Sequence, residues 1–378
     1  MDGNNVFHVY TFVGSLYLIW RWALPVLTTT PCRVMAAILL LGIAQYHALQ
    51  IVMTGTMFSP ELPRLLVILF GWAFCAFVLL IVITLLLDLI GLALKLLSGE
   101  RNRPSRRGRA SAAVLAALLS VYGVHQAVQV PAVKRVSIEI ANLPAGLEGM
   151  RIVQLSDLHI SRLFNAPWTA SVIEKTNALN ADLVVITGDL IDGTPEARQH
   201  DVAALGELRA PLGVIAIPGN HEYYFQERQW RQVFELLGMH MLVNEHVLVT
   251  RNDQQLAIAG VADEVAVNYN QSAPDLSQAI ADIPPQTPVV LLKHRPENAS
   301  ASAAAGVAVQ LSGHTHGGMI LGLDQIARYA NDGFISGVYQ VADMTLYVSN
   351  GTALWNGFPV RLGVPPEITE LTLHTRHH

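Results

Sequence analysis

The stretch Leu183-Val184-Val185-Ile186-Thr187-Gly188-Asp189 decides the fold. An apolar, mostly β-branched run of this length reads as a buried strand. It stops at a glycine that permits a tight turn, and the turn delivers a carboxylate at the strand's end. The same grammar recurs on both sides. RIVQLSDLH at 151–159 leads to Asp157 and His159, and VIAIPGNHE at 214–222 leads to Asn220 and His221. VVLLKH at 289–294 ends on His294, and VAVQLSGHTH at 307–316 ends on His314 and His316. Strand ends that carry Asp, His and Asn in Gly-punctuated turns are how a chain aims hard oxygen and imidazole ligands at adjacent metal ions.

Helix-like segments separate these runs, at Pro167–Leu179, Pro195–Leu208, Gln226–Leu237 and Leu276–Ile280. Further strand-like runs occupy Val136–Ile140, Leu242–Val249, Gln255–Val261, Thr345–Val348 and Ile368–Leu373. Such alternation argues for an α/β layered domain.

In order, the motifs are DLH, GDL, GNHE, KHRP and GHTHGG. This order resembles the calcineurin-like metallophosphoesterases, whose pattern is D-x-H, GD, GNH[ED], H and GHxH. GDLID, GHTHGG and the tail Val364-Pro365-Pro366-Glu367-Ile368-Thr369 are similar to the membrane-associated YkuE/YaeI-like bacterial branch. The resemblance covers roughly residues 148 to 373 and leaves out the first 130. It implies a four-layer α-β-β-α sandwich with the site at the strand ends. It also implies that Asp157, His159 and His316 bind one metal ion and that Asn220, His294 and His314 bind a second. Asp189 then bridges both, and His221 acts as general acid or transition-state stabiliser beside the phosphate. Taken singly, each of these residues reads as structural or solvated; the ordered set is what carries the metal reading. Asp157 and His159 alternate along what reads as an extended segment, so both are expected on one side. His221 follows Asn220 directly, so its ring does not easily reach the same ion; a role in orienting a ligand is its alternative. An imidazole near its ordinary pKa suits proton transfer. Mixed nitrogen and oxygen ligation favours two ions of Mn, Fe, Zn or Co over Mg or Ca.

Three departures from the relatives bear on substrate: Lys293 and Arg295 flank His294, Met319 follows GHTHGG, and Asn350 follows Tyr347-Val348-Ser349. Arg295 reads equally as a clamp on a second phosphate and as a solvated charge.

The 378 residues are 52% hydrophobic and only 14% charged, against about 25% charged in soluble chains. The shortfall sits in the first third. Apolar segments at 7–28, 35–55, 65–87 and 111–130 each approach the ~20 residues that span a bilayer. An all-α transmembrane region of about four helices is therefore expected over 1–130, with the catalytic domain over 131–378. Arg21 and Pro25 interrupt the first segment, for which a signal peptide is the alternative; it lacks an early basic region. Arg21 is placed to snorkel, with Trp20 and Trp22 as belt residues. Asp88 reads as a helix-end acid balanced by Lys95, and His125 and Gln126 read as interfacial. Lys95, Arg101, Arg103, Arg106, Arg107 and Arg109 against Glu100 make one loop cytoplasmic under the positive-inside rule. The catalytic domain then lies on the periplasmic side of a bacterial inner membrane. Cys32 and Cys75 are both in apolar stretches and give no disulfide framework. A net charge of −5 gives no indication of nucleic-acid binding, and no protein partner is indicated.

The expected activity is membrane-anchored hydrolysis of a phosphodiester or pyrophosphate, with a lipid-linked substrate favoured by the short tether. A tethered broad-specificity phosphatase or nucleotidase is one alternative. A non-enzymatic transport or scaffold protein with a ligand-sensing domain is another.

Overall fold

The computed structural model describes residues 3–99 and 104–376. Glu100, Arg101 and Arg103 of the basic stretch lie outside the described residues. The chain forms two compact units. One comprises Met1–Gln126 together with Asn356–Leu362; the other comprises Ala127–Trp355 and Gly363–His378.

The first unit is helical. Arg64–Ser98 and Arg106–Ala127 are each long and apolar enough to cross a membrane. Thr30–Ala44 and Tyr46–Thr54 meet at a 54° bend and count as a third span only if taken as one. Gly3–Leu18 runs through a π-helical turn, Ile19–Ala23, into Leu24–Val26. Pro25 has no N–H to give the carbonyl of Arg21; the Arg109 guanidinium donates to that carbonyl instead.

The partner of Asp88 is not Lys95. Arg21 donates to it from Nε and Nη2, both at 2.6 Å, Tyr17 adds its hydroxyl at 2.8 Å, and Arg109 stands 3.5 Å away. Arg21 is thus tied down rather than snorkelling free. An apolar layer penalises an unpaired charge heavily, and the pairing answers that penalty.

Asn356–Leu362 belongs to this helical unit through specific contacts. Asn356 donates to the Phe58 carbonyl at 2.9 Å, His47 meets the Gly357 carbonyl at 3.0 Å, and Arg361 N–H donates to the Gly123 carbonyl at 3.0 Å. Val360 and Leu362 lie where a side chain at residue 123 would stand, so the close approach needs Gly123.

The second unit contains twelve strands among its described residues. In chain order they are β1 (Ala132–Ile140), β2 (Arg151–Leu155), β3 (Leu183–Thr187), β4 (Val214–Ile217), β5 (His240–Met241) and β6 (Glu245–Arg251). β7 (Gln254–Gly260), β8 (Val289–Leu292), β9 (Val309–Ser312), β10 (Gly337–Val341), β11 (Met344–Val348) and β12 (Glu367–Thr375) follow. They form two six-stranded mixed sheets, ordered β1-β12-β2-β3-β4-β5 and β10-β11-β9-β8-β7-β6. One continuous core draws Ile152, Leu183, Val185, Ile215 and Ile217 from the first sheet and Ile258, Val290, Leu292, Val309 and Leu311 from the second. The alternate residues of the second sheet, including Ala257, Ala259 and Leu291, pack on their other face with Ala279 and Ala299 of flanking helices. The two sheets thus pack face to face with helices outside. Within each sheet the central strands, β2-β3-β4 and β7-β8-β9, are parallel. Their carboxyl ends therefore open on one side, which is where such sheets present their sites.

Candidate metal centre

The motif residues all follow the carboxyl ends of parallel strands. β2 delivers Asp157 and His159, β3 delivers Asp189, β4 delivers Asn220 and His221, β8 delivers His294, and β9 delivers His314 and His316. The structure gathers them into overlapping groups whose potential ligand atoms lie within 4.8 Å of one another. One group is Asp157, His159 and His316; another is Asp189, His294 and His314; a third is His159, Asp189 and His221. Asp189 is the carboxylate common to two of them. Its Oδ2 is 3.3 Å from His294 Nε2 and 3.7 Å from His159 Nε2. Atoms about 2.1 Å from a shared ion stand roughly 3.0–3.5 Å apart, so the spacing suits ligation by both sides.

The way Asp157 and His159 reach the site differs from the extended alternation expected. β2 ends at Leu155, and both residues have positive φ, 53° and 41°. Asp189, His314 and His316 share that conformation, at 54°, 67° and 50°. The turns are left-handed because the backbone itself fills the remaining space. Asp157 N–H donates to the Gly188 carbonyl at 3.0 Å, and His159 N–H to the Asp189 carbonyl at 3.0 Å. Glycine is required where the turns converge. A Cβ on Gly188, at φ 90°, would stand 2.6 Å from His294 Nδ1, and one on Gly313 would stand 2.3 Å from Asp157 Oδ2.

Hydrogen bonds fix which atom each side chain presents. His294 Nδ1 is 2.7 Å from the Thr187 carbonyl, so that nitrogen donates to the backbone and Nε2 is the atom turned to the site. Asn220 Nδ2 donates to the Tyr224 hydroxyl at 3.2 Å, and its Oδ1 lies 3.2 Å from His294 Nε2. His159 Nε2 is buried without a hydrogen bond. A buried imidazole nitrogen without a partner is costly unless something binds it, and the donors around it are the mixed nitrogen and carboxylate set that divalent transition ions take. The residues present therefore fit a dimetal centre.

Two acids complete the arrangement, and the sequence reading gave neither a role. Asp192 is fully buried, and its Oδ1 meets His221 Nδ1 closely and His159 Nδ1 at 3.3 Å. One carboxylate oxygen thus turns both rings so that their Nε2 atoms face the centre. Glu222 accepts from the amides of Asp189 at 3.0 Å, Leu190 at 2.7 Å, Ile191 at 3.3 Å and Gly219 at 2.7 Å. It reaches back to Gly219 as the third residue of the short helix Asn220–Tyr224, in the manner of a capping box. It also locks the Asp189 turn to the Asn220 turn. The last letters of GDLID and GNHE were the available signal: an acid fixed beside a ligand turn with no ligand role of its own.

The electrostatics follow from burial among carboxylates. Burial lowers His221, but Asp189 and Asp192 outweigh it and hold the ring up at about 9. Burial likewise opposes charge on His294, and Asp189 raises it to about 10. His314 is pushed well down, by burial and then by His294. Asp189 is drawn well below the ordinary carboxylate range: burial opposes ionisation, and the surrounding histidines, His294 first, overcome it.

The departures noted in sequence are engaged elsewhere. Arg295 Nε donates to Asp263 at 2.9 Å, and Lys293 pairs with Glu264. Arg295 is thus neither a free clamp nor a solvated charge. Asn350 accepts from the Ser336 hydroxyl at 2.5 Å and donates to the Pro365 carbonyl at 3.1 Å, which anchors the loop behind His316.

Comparison with known proteins agrees with this geometry. A family model described as calcineurin-like phosphoesterase matches residues 150–318. The bovine "Transmembrane protein with metallophosphoesterase domain" is 36% identical over 286 residues, which cover 72% of this chain and 64% of that protein. An uncharacterized metallophosphoesterase of Campylobacter jejuni is 34% identical over 263 residues, 69% of this chain and 68% of that protein. The uncharacterized metallophosphoesterase YkuE of Bacillus subtilis is 31% identical over 249 residues, 63% of this chain and 83% of that protein. The chain thus spans just under two-thirds of the length of its bovine relative.

Proposed function

The chain belongs to the calcineurin-like metallophosphoesterases, and on that premise we propose that it hydrolyses a phosphodiester or pyrophosphate bond of a lipid-linked substrate at a membrane surface. The observation that carries the reading is Asp189, one carboxylate shared between two groups of ligand atoms. Asp157, His159 and His316 would hold one ion, Asn220, His294 and His314 would hold the other, and Asp189, which lies within ligand distance of His159 as well as of His294 and His314, would serve both. Divalent ions bound there supply the positive charge that activates a water nucleophile and offsets charge on the phosphoryl oxygens.

The protein's own residues do the rest. His294, oriented through Nδ1, offers Nε2 as a ligand. His221, turned by Asp192, would give its Nε2 proton to the leaving oxygen. Asp192 then stabilises the neutral ring in the orientation that accepts a proton back. Glu222 keeps the two turns in register, so that acid and ligands move together.

The short connection to the membrane helix favours a lipid-linked substrate. Only residues 128–131 lie between the helix ending at Ala127 and β1. Lys95, Arg106 and Arg107 near the opposite ends of the two membrane-length helices favour a catalytic domain on the extracytoplasmic face.

The test compares one phosphodiester in two settings. The full chain is reconstituted in liposomes with Mn, Fe, Zn or Co supplied. Turnover of a diester carried on a bilayer lipid is compared with turnover of its water-soluble headgroup analogue. Preference for the lipid-borne form, at least about tenfold in kcat/KM, supports the reading. Equal turnover assigns the activity to a tethered general phosphatase, and no turnover of any phosphoester by metal-loaded protein removes the hydrolytic assignment.

A further inference from the structure

Beyond His316 the chain turns through Gly317 and Gly318, at φ 62° and 75°, and then exposes apolar side chains. The helix Asp324–Ala330 buries none of its residues. Leu321 is 73% exposed, Ile326 72% and Tyr329 93%. The other large apolar side chains exposed among the described residues of this unit are Leu236, Val267, Tyr269 and Val338, which are spread along the sequence. Three within nine residues form a cluster, and such clusters on a soluble surface mark contacts. Ile326 and Tyr329 stand three apart and so share a helical face. Arg328 is exposed between them. Isoleucine, leucine, tyrosine and arginine in one short exposed segment is the chemistry of the lipid–water interface.

The chain connects this segment closely to a membrane-length helix. Ile320 bridges to Gly363, and a Cβ on Gly363 would stand 3.0 Å from that of Leu321. Gly363 is bonded to Leu362, which packs on Gly123 in the last turns of the membrane-length helix Arg106–Ala127. One peptide bond therefore joins Gly363, the bridge partner of Ile320, to Leu362, which packs on Gly123.

We propose that residues 319–330 are a membrane contact. Leu321, Ile326 and Tyr329 insert into the lipid–water interface of the bilayer that the helix crosses, Arg328 meets anionic headgroups, and the turn carrying His316 is held at headgroup level. The occupant is the bilayer rather than a second copy of the chain. The inference deepens the lipid-linked reading and rests on it for substrate only; the contact itself is measured without catalysis.

The full chain with Cys32→Ser and Cys75→Ala is given one cysteine, Tyr329→Cys or, as control, Leu236→Cys, which replaces a side chain 88% exposed elsewhere. Each is labelled with an environment-sensitive fluorophore and reconstituted in liposomes containing anionic lipid. Lipids with a nitroxide high on the acyl chain should quench the label at 329 at least about threefold more than the label at 236, and aqueous iodide should do the reverse. Iodide quenching at 329 equal to that at 236 overturns the proposal. So does concentration-dependent self-quenching at 329 without lipid quenching, which assigns the face to a second copy. A second variant keeps the native cysteines. Ile326→Asp/Tyr329→Asp should lower turnover of a lipid-borne diester at least about fivefold and leave a soluble aryl diester unchanged. Loss on both substrates alike contradicts a surface role. Lipid quenching at 329 in a protein with no lipid preference would keep the contact and sink the substrate reading.

Discussion

Positive φ at Asp157, His159, Asp189, His314 and His316 costs of order 1 kcal/mol or more for each residue with a Cβ. The convergence of strand ends enforces it, and it sets how the ligands are aimed. Protonation matters at the same scale. In the metal-free protein Asp189 holds His294 up at about 10 despite its burial, whereas a ligand imidazole must be neutral. Metal uptake near pH 7 should therefore release protons, and affinity should fall as pH is lowered. Calorimetry in buffers of different ionisation enthalpy reads the proton count; uptake without release would show that His294 is not a ligand. His221→Ala should retain the metals and slow turnover by ~10²–10⁴. The loss should shrink for a nitrophenol leaving group, which needs no proton; equal losses would move His221 from proton donor to phosphate positioning. Sequence singled out these residues because their types recur at strand ends, and the fold brings them near one another. It did not disclose the backbone turns, nor the role of Asp192, because both depend on neighbours that folding brings in from other strands.

Elements were legible in proportion to their burial. β3, β4 and β8 are buried along their length and stand out as apolar runs. β10 alternates half-buried with exposed residues at a sheet edge, and Asp324–Ala330 buries nothing, so neither leaves a pattern of apolar spacing. About four membrane helices were expected, whereas two among the described residues are long and apolar enough to cross, or three if the bent pair counts as one; their side-chain partners were not legible. Nothing near Asp88 in sequence indicates Arg21, which lies on another helix. That pair yields a stability prediction. Asp88→Ala leaves Arg21 and Arg109 without their acid and should lower the thermal midpoint of the helical unit, the Arg21–Asp88 pair being part-buried. Arg21→Met/Asp88→Leu should recover most of the loss. Thermal midpoints in detergent decide this, and an unaltered midpoint for Asp88→Ala would show the pair to be incidental.

At the scale of the whole molecule, one chain combines a domain of the calcineurin-like metallophosphoesterase family with helices of membrane-crossing length. The proposed extracytoplasmic orientation rests on the placement of basic residues. Alkaline phosphatase fused after His378 should be active and a cytoplasmic fluorescent reporter dim; the opposite pattern would place the catalytic domain in the cytoplasm. The dimetal centre with Asp189 as the shared ligand underlies the proposed chemistry. Metal content of the purified full chain by mass spectrometry, measured alongside aryl diester turnover, tests it most directly. Wild-type protein should hold about two divalent ions per chain, and folded Asp189→Asn should lose metal and most of its turnover together. An Asp189→Asn protein that keeps two ions and normal turnover would contradict it.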